Sequence, residues 1–235
     1  MKKILIIIVL VLAGLVVMRN AVAKALLADA VRFATGVKVR INKFDLGITK
    51  AQVRAQDMRL YNPAGFPEKI MAYLPEFFVS YNLGSVLTGR PHIYTMKIYI
   101  KEFVVVKNAQ GLNNVDEIKT VKQIKEDIRL GRKRKTPEFK IDVLNLKVER
   151  VVFKDYSKNP KQFEQKVYNV NIDEQYKDID NPQKLVNLVL MRALANTAVG
   201  SLGLDLGALR QDLSGIMKQT TGAVKGFFDS IFGPK

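Results

Sequence analysis

The sequence predicts an α+β fold: an N-terminal membrane helix, a curved antiparallel β-sheet forming an apolar groove, and C-terminal amphipathic helices. Three observations carry this expectation. Residues 4–18 are an unbroken apolar run held between Lys2, Lys3 and Arg19. Apolar residues then alternate at period two over long stretches, as in strands with one buried face. From Pro182 the period becomes helical.

The apolar run enters a membrane. At roughly 1.5 Å per helical residue it covers about 22 Å of a hydrocarbon core some 30 Å thick, so spanning requires its flanking cations to snorkel. Residues 1–23 are therefore a membrane anchor or a signal segment, Ala21, Val22 and Ala23 offering a small-x-small cleavage site. Continuity favours the anchor. Val22, Ala23, Leu26, Leu27, Ala30, Val31 and Ala34 fall at helical spacing and extend one helix to Gly36, a natural stop. Lys2 and Lys3 place the N-terminus inside, which puts the body across the membrane.

Residues 24–118 read as the rest of this helix and a β-meander, with helix not expected between Gly36 and Asn108. Val37, Val39 and Ile41, then Phe44, Leu46 and Ile48, then Met58 and Leu60 alternate with polar partners. Asn62, Pro63, Gly65 and Pro67 make a corner, because the prolines lack donors and restrict the residues before them. Beyond it Phe77, Val79 and Tyr81 alternate, as do Met96, Ile98 and Ile100, and residues 103–106 are a continuous apolar run. The change of parity at Lys101 and Glu102 suggests a β-bulge or a change of strand. Asn114 and Glu117 have the spacing of a capping box ahead of Ile118, Val121, Ile124 and Ile128, a possible helix ending at Gly131.

Residues 119–138 form a charged link or helix. Arg132, Lys133, Arg134 and Lys135 within it are either a solvated connector or a site for anionic head groups. Residues 139–181 resume the strand pattern, with Phe139, Ile141 and Val143, then Leu144, Leu146 and Val148, then residues 151–153, then Tyr168, Val170 and Ile172. Residues 182–235 are helical. Leu185, Val186 and residues 188–191 surround most of one circumference, so this helix is buried against the sheet or lipid. Further on, Leu213, Met217, Val224, Phe227, Phe228 and Ile231 define a stripe that either docks on the core or lies in the membrane interface.

Lys and Arg number 38 against 22 Asp and Glu, a net charge of +16, which favours anionic partners. With no cysteine there is no thiol nucleophile or disulfide framework, and with one histidine, His92, no His-based triad or multi-histidine metal site. The acidic residues Asp173, Glu174, Asp178 and Asp180 have the look of solvated turns. No phosphate-binding glycine loop and no Gly-x-Ser-x-Gly occurs. The expectation is a protein that is not an enzyme, takes no cofactor or metal, and does not bind nucleic acid.

Several of these stretches together resemble the N-terminal module of AsmA-like envelope proteins. They are the membrane helix running into Thr35, Gly36 and Val37; the corner Tyr61, Asn62, Pro63, Ala64, Gly65, Phe66; the phrase Gly84, Ser85, Val86, Leu87, Thr88, Gly89; and Gly111, Leu112, Asn113, Asn114. The resemblance covers roughly residues 1–118, and this chain departs from long members of the family in its shortness. It implies a single-pass inner-membrane anchor, a periplasmic body with an apolar groove, and a role in lipid transport or outer-membrane homeostasis. Parity then assigns Val37, Val39, Ile41, Phe44, Leu46, Met58, Leu60, Ile98, Ile100, Ile141 and Val143 to the groove. A phospholipid membrane and envelope proteins are the expected partners. The alternative is an envelope scaffold whose groove is filled by its own helix from Leu185.

Overall fold

A computed structural model describes residues 2–131, 138–159, 163–195 and 197, with side chains from Arg19 onward apart from Gln183 and Ala195. The observed class is α+β, built on one curved, open sheet of six strands in sequence order: β1 (Val39–Gly47), β2 (Gln52–Tyr61), β3 (Ile70–Tyr81), β4 (His92–Lys107), β5 (Lys140–Asp155) and β6 (Glu164–Ile179). The helices are α1 (Lys2–Thr35), α2 (Leu83–Leu87), α3 (Lys119–Arg129) and α4 (Pro182–Ala195).

The sheet is not all antiparallel, which corrects the expectation. β4 and β5 run parallel, from His92 opposite Lys140 to Lys107 opposite Asp155. Parallel neighbours need a long crossover, and residues 108–139, carrying α3, supply it. The two strand-rich stretches therefore share one sheet and one core.

A row of irregularities crosses all six strands. The registers step over Asn42 and Asp57, then Pro75, then Ile100 and Lys101, then Glu149, and reach Asn171. Asp57 and Asn171 hold φ of 51° and 45°, in the left-handed region that Asp and Asn tolerate best. Pro75, which has no N–H to donate, sits where the ladder is interrupted. Across this row the pleat turns over: Ile41 gives way to Phe44, Leu74 to Phe77, Ile100 to Phe103 and Val148 to Val151, all on the same core. The parity change at Lys101 and Glu102 is thus real. β3, β4 and β5 make it in step, so the β4 registers stay unshifted there and the recorded slip falls between β5 and β6. Such irregularities bend strands and raise their twist, and here they act in line across the sheet.

α1 ends where the sequence placed its end, at Gly36, whose φ of 76° lies in the left-handed region and whose Cα faces Lys119 at the start of α3. Among the described residues no helix is long and apolar enough to cross a membrane. The short α2 was not expected. Asn82 caps it, its side-chain oxygen accepting the Ser85 N–H at 2.9 Å, and Ser85 Oγ in turn accepts the His92 N–H at 2.9 Å. The capping box at Asn114 does not form: α3 starts five residues later, at Lys119, and has no side-chain cap.

Candidate functional site

All six strands turn one apolar face to the same side, and the described helices cover part of it. α4 lies over this face and buries Leu188, Leu190, Met191, Ala193 and Leu194. An ion pair holds it there: Arg192, whose side chain is 4% exposed, donates through Nε to Glu174 on β6 at 2.8 Å and through a second nitrogen to the other carboxylate oxygen. The Tyr176 hydroxyl donates to the same carboxylate. Burial, with the Glu174 carboxylate beside it, pushes the Tyr176 phenol well above its ordinary pKa, so it stays a donor.

Between α4 and α1 the face stays open as a cleft of about 340 Å³. One wall is the α1 stripe Leu27, Ala30, Val31 and Ala34; the other is the α4 stripe Leu185, Val186, Val189, Leu190 and Ala193. Both have the spacing of a single helix face. The floor comes from the three central strands of the covered half, with Met58, Leu74, Phe77, Ile98, Ile100 and Phe103 among its residues. Residues from both sides of the irregular row line this floor, so without the inverted pleat half of it would point to the other face. Among the described residues Thr35 is the one lining residue with a polar side chain, and its hydroxyl is engaged at home, donating to the Val31 carbonyl at 2.7 Å and accepting the Val37 N–H at 3.3 Å. Among the described residues the cleft has no group free to orient a polar substrate. It lies within the 300–1,000 Å³ typical of ligand pockets and suits an occupant that is apolar throughout the buried part.

Of the groove residues assigned by parity, Val37, Met58, Leu60, Ile98 and Ile100 line the cleft. Val39, Ile41, Phe44, Leu46, Ile141 and Val143 do not. Ile41 and Ile141 are buried in the continuous core, while Val39 and Phe44 pack against it. Leu46 lies beneath α1, its N–H donating to Asn20 Oδ1 at 3.1 Å. Period two identifies a buried face but not which stretch of it a helix covers. The residues that sequence reasoning missed include the helical walls and Met71, Leu74, Phe77, Met96 and Phe103. The stripes on α1 and α4 were legible; that they face each other across the sheet was not. Arg132, Lys133, Arg134 and Lys135, and Leu213, Met217, Val224, Phe227, Phe228 and Ile231, lie outside the described residues.

The opposite face carries a larger, polar hollow of about 660 Å³ near the proline corner, with Arg59, Glu68, Lys69, Tyr73, Glu102 and Lys154 on its walls. Most of its charges already have partners: Lys154 with Glu68 at 2.6 Å, Arg150 with Glu102 at 2.6 Å, Arg59 with Asp57 at 3.3 Å. Burial alone would raise the Glu68 carboxyl, but hydrogen bonds from Lys154 and Tyr156 and the Lys154 charge hold it below its ordinary pKa of 4.5. Internal pairing makes this face a weak competitor for an external ligand.

The residues considered for chemistry are also engaged. His92 Nε2 lies 2.8 Å from Asp142, which Lys140 also contacts at 2.8 Å. Asp180 pairs with Lys184 at 3.0 Å, and among the described residues no cluster of three metal-ligating side chains occurs. Fold and site together define an α+β protein with a bent, one-side-covered sheet and an apolar cleft under two helices. No protein-family profile, curated protein or solved structure matches the chain.

Proposed function

We propose that this chain is an AsmA-like protein of the cell envelope. Residues 4–18 anchor it as a single-pass protein in the inner membrane, its body lies in the periplasm, and its cleft takes the acyl chain of a lipid for binding or transfer without bond chemistry. The observation that carries this reading is the cleft itself, an open cavity whose described walls and floor are apolar side chains, with the Thr35 hydroxyl satisfied internally. The motifs behind the resemblance also act together in the fold. Asn114 Nδ2 donates to Asn62 Oδ1 at 2.7 Å and Asn108 Nδ2 to the Gly65 carbonyl at 3.3 Å, tying the proline corner to the Gly111 loop. The net charge of +16 suits an anionic membrane.

Photo-crosslinking side chains placed at Ile98 and Leu185 in cells test the proposal, with the core position Ile41 as control. Phospholipid adducts at Ile98 and Leu185 but not at Ile41 are expected. If folded protein yields only links from Ile98 to α4, the cleft is self-filled and the scaffold reading replaces lipid carriage.

A further inference from the structure

We propose that one end of the sheet, formed by the β1–β2 turn and α2, is a membrane footing: Ile48, Leu83, Val86 and Leu87 sit in the interface of the phospholipid bilayer that α1 enters. This rests on the anchor reading above and adds to it which face of the body meets the lipid.

The direction of α1 fixes which end of the body faces the bilayer. Its last residues adjoin the start of β1, and going back along the helix Lys24 Nζ donates to the Asn42 carbonyl at 3.4 Å and Asn20 Oδ1 accepts from Leu46 at 3.1 Å. α1 and β1 are therefore antiparallel, and the N-terminal end of α1 leaves the body past Gly47. Some 27 Å of helix precedes Asn20, at about 1.5 Å per residue, whereas β1 is followed only by a turn of four residues before β2. The apolar run of α1 therefore extends beyond the body at this end of the sheet.

α2 lies at the same end. Gln52 at the start of β2 pairs with Ser80 at the close of β3, and α2 follows within three residues. None of the α2 residues is buried. Leu87 is 79% exposed, and Leu83, Val86 and the turn residue Ile48 are exposed as well. An apolar helix of one turn with no core contact gains nothing from water, yet Asn82 and Ser85 hold it in place with three hydrogen bonds of 2.7–2.9 Å. Lys50, exposed, flanks the patch where phosphate groups would lie, while Arg90 beside it is paired with Glu138 at 2.9 Å. The far end of the sheet closes with the asparagine-tied corner and the loop carrying Gln110; Leu112 and Phe163 are exposed there too, but α1 does not leave the body on that side. Exposed apolar side chains, fixed backbone, the flanking Lys50 and an apolar helix leaving in the same direction specify lipid as the occupant.

The chain has no cysteine, so single-cysteine variants of the full protein carry one environment-sensitive fluorophore each. Labels go on Leu10→Cys in the apolar run, Ile48→Cys and Leu87→Cys on the footing, and Gln110→Cys at the far end. The protein is reconstituted into vesicles of phosphatidylcholine and phosphatidylglycerol containing a lipid-borne, shallow nitroxide quencher. Several-fold stronger quenching at Ile48 and Leu87 than at Gln110 is expected. Quenching at Leu10 with none at Ile48 or Leu87 overturns the footing and leaves the anchor standing. Absence of quenching at Leu10 as well rejects the anchor and the footing with it. Equal quenching at Gln110 and Leu87 also overturns the proposal, as does energy transfer between Leu87 labels on two copies without lipid quenching, which makes the patch a dimer face.

Discussion

Asn114 is fully buried, and its one amide serves three partners. Oδ1 accepts the Val106 N–H at 2.9 Å, while Nδ2 donates to the Val104 carbonyl at 2.8 Å and to Asn62. These bonds satisfy the edge of β4 beyond Phe103, where β3 no longer pairs with it, which is why the residue is asparagine and why it cannot also cap α3. Replacing it by alanine leaves buried backbone groups without partners, each costing on the order of 1–3 kcal/mol. Asn114→Ala is expected to destabilise the protein by roughly 2–4 kcal/mol, read from the urea midpoint at unchanged slope. Asn114→Asp should be no better, because it keeps the acceptor but loses both donors and adds a buried charge. At this scale the sequence is hard to read: Asn114 and Glu117 have the spacing of a capping box, and only the fold shows that the side chain points back to β4.

α4 illustrates how an element is placed by one buried pair set in an apolar surface. Its apolar residues surround most of the helix, so hydrophobicity alone would let it rotate or slide on the sheet. Arg192 removes that freedom by reaching Glu174 with two nitrogens. A broken buried pair costs about 3–5 kcal/mol, whereas replacing both partners by apolar residues of similar volume can be neutral. Arg192→Ala is accordingly expected to lower stability by about that much and to loosen the cleft wall. Arg192→Met combined with Glu174→Leu should recover most of the loss in a double-mutant cycle. Additive effects would show that the pair does not dock the helix. The sequence shows a helix from Pro182 and a strand through Glu174, but not their pairing, since 18 residues and a turn separate the two charges. The same limit applied to the strands. Each change of parity, such as Ile41 to Phe44 or Val148 to Val151, is legible as a local slip. That they line up across the sheet follows only from the registers.

For the whole molecule the decisive feature is the parallel junction between β4 and β5. The charged segment around Arg132 reads in the sequence as a link between halves, and a link of that kind suggests two units that fold separately. The structure instead pairs β4 with β5 along nearly their full length and runs one hydrophobic core from Ile41 to Leu194. Burial of apolar surface scales with the area removed from water, at about 25 cal/mol per Å², and here much of that area lies between the halves. Neither half keeps its whole cover alone: the N-terminal strands would keep α1 and α3 but lose α4, and β5–β6 would keep α4 but lose α1 and α3. A protease site inserted between Lys135 and Thr136 tests this. After cutting, the two pieces are expected to co-migrate as one particle and to unfold in a single cooperative transition. The midpoint should fall with dilution, because rejoining has become bimolecular. Separation of the pieces under native conditions, or a transition that splits in two, would mean that the β4–β5 ladder is a contact between independent domains. The cleft between α1 and α4 would then be an interdomain gap instead of a cavity in one body.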